Sequence, residues 1–248
     1  MTTTTVPATH RLLRGWWIAK HLFALVMLAT LIFLGFWQLD RLEQQRAANA
    51  ARLAALAQPA IPLTPETDPA MVIGRRVVVS GVFRNEESIV LRGRRSDSGV
   101  DGVHLVTPLQ IEGSEYAVLV DRGWLPSAQG AATAYAVTRL VTIEGIAQAP
   151  QLRPDSPLAG RDLPLPGETR INAWLRVDVP AIQQQVSAPL LPLFIEQLPD
   201  DNTGLPRPPD PYRLDEGPHL SYALQWFTFA GIIGVGYLLL LRQEVQRR

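Results

Sequence analysis

His219, Tyr222 and Trp226 stand in the stretch HLSYALQWF, where the second of two long apolar runs begins. Their spacing of i, i+3 and i+7 puts all three on one face of a helix. Trp37 and Arg41, in FWQLDR at the end of the first run, are i and i+4 and share a face in the same way. Together these residue types could hold a flat amphiphile. A neutral imidazole ligates metals, haem iron among them. A guanidinium offers a fork for a carboxylate such as a propionate, and the aromatic rings would cover a ring face. The plainer reading is an interfacial belt, because Trp and Tyr gather where a membrane meets water. His219 and Arg41 would then face water or headgroups. The residue types leave both readings open.

Either reading needs two elements that bring these residues to one level. Residues 22–39 and 220–241 are free of charge, and a helix crossing a bilayer needs about 20 apolar residues. The first run is longer than a signal-peptide apolar region, and the small-residue triplet Ala48-Asn49-Ala50 lies well past its end in a charged segment. It is therefore expected to stay as an anchor. Arg11, Arg14 and Lys20 precede it, and Arg242, Arg247 and Arg248 follow the second run. The positive-inside rule then places residues 1–21 and 242–248 in the cytoplasm. Residues 40–219 hold 17 arginines against 22 acids, so the neutral total hides an acidic outer segment of net charge −5. In a bacterium that segment would be periplasmic. The two runs would thus bring Trp37, Gln38 and Arg41 level with His219, Tyr222 and Trp226. Gly231, Gly234 and Gly236 would let the helices approach closely.

The outer segment reads as α+β, mainly antiparallel. Residues 40–57 are rich in helix formers and extend the first helix, and residues 58–70 read as a Pro-rich extended linker. Strands are expected over 75–84, 88–92, 103–111, 116–124, 138–148 and 192–197, each dense in β-branched residues or bounded by turn clusters. Gly81 and Gly145 sit in similar strand contexts and suggest equivalent bulges. Asp178 before Val-Pro is placed to cap a short helix. The fold class is thus an α+β membrane protein, two transmembrane helices flanking a mainly antiparallel β domain.

Little else points to chemistry. The chain has no cysteine, which removes disulfides, thiolate metal sites and covalent c-type haem attachment. No nucleophile elbow, His-Glu-x-x-His or phosphate loop occurs, and a near-neutral balance gives no reason to expect nucleic acid. His104 lies alone in an expected strand. It or His219 would have to serve as base in any serine hydrolase, beside a serine the sequence does not single out. The basic cluster Arg92 to Arg95 reads as a solvated hairpin turn, or else as a contact for an anion or a partner.

The ordered motifs LGFWQLDR, RVVVSGVF, HLVTPLQ, VLVDRGWLP, INAWLRVDVPAI with PLFIEQ, and HLSYALQWF resemble those of the Surfeit locus protein one family. Those are membrane factors for cytochrome c oxidase assembly. The resemblance covers nearly the whole chain. It implies no catalysis of its own but assistance in inserting haem a into oxidase subunit I, beside the haem a synthesis machinery. His219 would be the haem iron ligand, and Tyr222, Trp226, Trp37 and Arg41 would complete the cofactor site. An assembly scaffold without haem contact is the alternative, and a membrane-anchored periplasmic hydrolase a remote one. One departure is Asp121, where the family commonly has asparagine before Arg-Gly-Trp. Gly123 and Trp124 are expected to set a strand-to-turn geometry.

Overall fold

The computed structural model describes residues 15–126, 134–156, 160–164, 167–200, 204–212 and 214–246. Arg11, Arg14, Arg247 and Arg248 lie outside them. The chain divides into two compact units, one from residues 1–51 with 214–248 and one from residues 52–213.

The first unit is a helix pair. Helix α1 (Gly15–Leu56) runs unbroken through the first apolar run and the helix-forming segment after it. The last helix, α4 (His219–Gln246), carries the second run. Each is long and apolar enough to cross a membrane. The helices lie antiparallel. Phe36 meets Phe227 edge-on with ring centres 5.3 Å apart, His21 bonds the Tyr237 hydroxyl, and Arg46 grips Glu216 through two bonds of 2.9 and 2.8 Å. Ala24, Leu31, Gly35 and Leu42 of α1 and Ala223 and Ala230 of α4 are buried. Close approach occurs at Gly35, where a Cβ would stand 2.5 Å from the Phe227 ring. It does not occur at the expected glycines: Gly231 and Gly236 face open space, and Gly234 only reaches ordinary contact with Leu28. Gly231 and Gly236 sit on the outward side of α4, whereas Gly234 shares the seam face with Ala223 and Ala230 but makes no close approach there.

The second unit is a small barrel. Its strands are β1 (Ile61–Pro62), β2 (Arg76–Phe83), β3 (Ile89–Arg95), β4 (Asp101–Ile111), β5 (Ala117–Leu125), β6 (Val141–Gln148), β7 (Ala173–Trp174) and β8 (Leu190–Gln197). Hydrogen bonding runs β2-β6-β8-β5-β4 and returns from β4 to β2, closing a ring of five. Directions that alternate around a ring cannot close on an odd number. One neighbouring pair must be parallel, and it is β5 with β8, Val120 opposite Ile195. Parallel neighbours need a long crossover, which here contains β6, β7 and the short helix α3 (Val179–Ile182). A second short helix, α2 (Pro69–Val72), starts after Asp68, whose carboxylate accepts from the Ala70 N–H. Asp178 caps α3 as its position suggested, accepting from the Ala181 N–H at 3.2 Å.

Alternation fills the barrel. Val77, Val79 and Phe83 of β2 meet Leu109, Ile111, Val118, Val120, Ile143, Leu193 and Ile195 inside. Outside, Leu119 and Phe194 pack with Trp174, Val177 and Ile182. Strand β5 is therefore buried on both faces. Two expectations change. The stretch 58–70 is not simply a linker, because β1 pairs parallel with β2 at Ile61–Val77 and Leu63 enters the core. Gly81 and Gly145 are not bulges. Both sit in regular register, and each lacks a side chain because a neighbouring strand passes there: a Cβ on Gly145 would lie 2.5 Å from the Glu196 carbonyl oxygen, and one on Gly81 would overlap Gln110. The irregularities fall at Leu91/Arg94, Leu105/Val106 and Ala117/Leu119.

Candidate functional site

His219 opens α4 after Gly217-Pro218. Its Nδ1 lies 2.9 Å from Oε1 of Gln38 on α1. With that oxygen as acceptor, Nδ1 carries the proton and Nε2 keeps a free lone pair, the form that ligates a metal. Gly217 flanks the ring: a Cβ there would stand 3.3 Å from Nε2 and crowd it. Beyond this bond the ion pair of Arg46 and Glu216 clasps the helices. A hydrogen bond from Arg46, reinforced by its charge, holds the Glu216 carboxyl below the usual carboxylate range.

The other expected residues are placed differently. Trp226 lies against Phe229 at 6.1 Å, and its Nε1 is buried with no partner among the described residues. Tyr222 is 46% exposed and Trp37 45% exposed. Arg41 is exposed as well, its guanidinium 5.9 Å from the Trp37 ring centre and bonded to Gln44 Oε1 at 3.0 Å. Of the residues expected at this level, His219 and Gln38 are the pair that bonds across the seam among the described residues. Trp37 and Arg41 form a cation–π pair on an open face of α1.

A second cluster lies on the barrel. His104 Nδ1 is 2.9 Å from Asp121 Oδ2, and Asp121 Oδ1 accepts from the Gly123 N–H at 3.0 Å. Asp121 stands opposite Glu196 across the parallel pair, and Glu196 accepts from Gln148 at 2.8 Å. Burial pushes the Glu196 carboxyl up; the Gln148 bond opposes this, and the charge of Asp121 adds to it. A histidine oriented by a carboxylate is two thirds of a hydrolytic triad. No described serine completes it: Ser96, the serine lining the same small cavity, bonds Ser98 and accepts from the Val100 N–H. No group of three or more metal-ligating side chains exists among the described residues. The sequence did hold a signal for this cluster. If 111–116 is a tight hairpin, Asp121 falls opposite Val106, with His104 as its diagonal same-face neighbour.

Two arginines of the basic cluster are paired at the β3–β4 hairpin, Arg92 with Asp162 at 3.0 Å and Arg95 with Asp101 at 2.7 Å, while Arg94 Nε is buried with no partner among the described residues. Gly123 (φ +109°) keeps β5 bare where residues 207–208 cross it, and Trp124 exchanges two backbone bonds with Arg207 there.

Residues 25–231 match the model of the SURF1 family, so nearly the whole helix–barrel–helix arrangement is covered. The chain belongs to the SURF1 family. It is 31% identical to a SURF1-like protein of Rickettsia felis over 91% of this chain and 98% of that one. Identity is 28% with a SURF1-like protein of Rickettsia bellii, over 91% of this chain and 92% of the relative. Surfeit locus protein 1 of Arabidopsis thaliana is 26% identical over 70% of this chain and 63% of its own. The SURF1 match ends inside α4, so it includes His219, Tyr222 and Trp226 together with Trp37, Gln38 and Arg41.

Proposed function

We propose that this SURF1 chain is a two-span protein of a bacterial inner membrane, termini cytoplasmic and barrel periplasmic, that assists cytochrome c oxidase assembly. In this reading it receives haem a from the synthesis machinery and hands it to catalytic subunit I. It acts by holding and presenting, not by catalysis, and needs no nucleic acid. The location is supported by two apolar helices and by the charge contrast between an acidic segment 40–219 and basic flanks.

The observation that carries the haem reading is the His219–Gln38 bond. It fixes the imidazole through Nδ1 and leaves Nε2 to bind. Haem a is the cargo. His219 would hold the iron through its imidazole, kept in place by Gln38, and the client subunit would take the haem from it. Trp226 and Tyr222 would cover the ring, and Arg41 with Trp37 would meet its carboxylates at the headgroup level. The same bond also favours a second reading, an assembly scaffold in which Gln38 and His219 only lock the helices.

The spectrum of the purified full chain from cells making haem a separates the two. Wild type is expected to carry haem a, and His219→Ala to lose it while the helices stay paired. Equal haem in both would refute the ligand role and leave the scaffold. In cells, deletion is expected to abolish oxidase activity with haem a synthesis intact; an unaffected oxidase would refute both readings.

A further inference from the structure

Along β5, Val118 and Val120 point into the barrel core, and Arg122, the residue left over where the β4–β5 register shifts, turns to the same side onto Phe83. Arg122 stands at the barrel mouth and is only 7% exposed. Its guanidinium carbon is 4.6 Å from the centre of the Phe83 ring. Nη1 is buried with no hydrogen-bond partner among the described residues. Burial lowers the Arg122 pKa to about 10, so the side chain is still a cation at neutral pH. A buried cation is normally paired, because an unpaired one costs several kcal/mol of desolvation. The face of Phe83 compensates only part of that.

Beside Arg122 opens a cavity of about 240 Å³. Phe83, Tyr135, Val137, Ile143 and Leu205 supply much of its wall, and among the described residues its charged members are Arg122, Arg139 and Asp200. Among these described residues two guanidiniums stand against one carboxylate. The mouth of a barrel is a recurrent ligand site, and this one joins apolar side chains to a larger share of polar surface. The apolar side chains in this mixed wall favour a monoanion with a hydrocarbon body over a hydrated dianion such as phosphate, which loses more on entering.

We propose that the barrel mouth at Arg122 binds a carboxylate carried on a small apolar body, Arg122 making the charge-assisted bond and Arg139 adding attraction at the rim. The proposal is independent of the helix pair and of haem.

The test is calorimetric titration of the full chain in detergent at neutral pH with hexanoate, hexanamide and inorganic phosphate. Hexanoate is expected to bind and to raise Tm. Hexanamide and phosphate are expected to bind at least about tenfold more weakly, the worth of one charge-assisted bond. Arg122→Met should abolish hexanoate binding yet melt at the same temperature or higher, since it removes an unpaired buried charge. Arg122→Lys keeps the charge but loses the fork; if the Met variant fails to fold, a loss of about tenfold in the Lys variant supports the site. Equal binding of hexanoate and hexanamide, no hexanoate binding, or hexanoate binding undiminished in both variants would overturn the proposal.

Discussion

Gly123→Ala should damage the barrel far more than its one added methyl suggests. The residue sits at φ +109°, outside the range that residues with a Cβ adopt readily. The added Cβ would also overlap the backbone of Arg207 and Pro208, which has no rotamer to move. Backbone strain of this kind costs about 1–3 kcal/mol. Relieving the overlap means lifting residues 207–208 off β5. That breaks the bonds from the Trp124 N–H to the Arg207 carbonyl (2.7 Å) and from the Arg207 N–H to the Trp124 carbonyl (3.0 Å). Each is worth about 1 kcal/mol, so the total is about 3–5 kcal/mol. Gly113→Ala is the internal control. Its φ is +73° in open space, so it pays only the left-handed penalty, about 1–2 kcal/mol. Urea unfolding of the full chain, followed by tryptophan fluorescence, measures both. Hydrogen exchange should show the Trp124 amide losing protection in Gly123→Ala alone. If the two variants agree to within about 0.5 kcal/mol, residues 207–208 contribute nothing and the reasoning fails.

Two glutamates should respond to pH with opposite sign. Burial raises Glu196 above the ordinary carboxylate range, so its charged form is a cost to the native state above that range. Glu196→Gln should therefore stabilise at neutral pH, and the gain should vanish as pH falls below the unfolded carboxyl value. Burial also works on Glu87, but hydrogen bonds from Arg84 and Ser187 outweigh it and hold the carboxyl low. Glu87→Gln should destabilise at neutral pH, with the deficit closing as pH drops through the depressed native value; thermal melts across pH test both signs. Leu193→Ala, inside the barrel at 1% exposure, should cost about 2–5 kcal/mol in the same unfolding assay. The chain has no cysteine, so Phe36→Cys with Phe227→Cys should cross-link on mild oxidation and Phe36→Cys with Leu238→Cys should not. The reverse pattern would contradict the antiparallel pairing.

Local physics made much of this protein legible from residues alone. Two uncharged runs could only be long apolar helices, and β-branched stretches between turn clusters became strands close to their expected bounds. Asp178 before Val-Pro capped its helix, because an N-cap needs only three neighbouring residues. The level of His219 with Gln38 also followed from order along the chain, since both lie at the same ends of paired runs. Which side of a helix faces its partner did not follow. A chain with apolar residues all round gives no periodic clue, so the close approach fell at Gly35 against Phe227, Gly231 and Gly236 faced open space, and Trp37 and Arg41 fell on an open face. Barrel closure was equally hidden. The bonds joining β4 to β2 and β8 to β5 connect residues far apart in sequence, and no local pattern encodes them. That closure alone places Glu196 beside Asp121 and leaves Arg122 at the mouth with Phe83 beneath it. Composition and spacing determine what a segment can be. Only long-range pairing decides which side chains meet, because the free energy that selects those pairs comes from burying both partners at once.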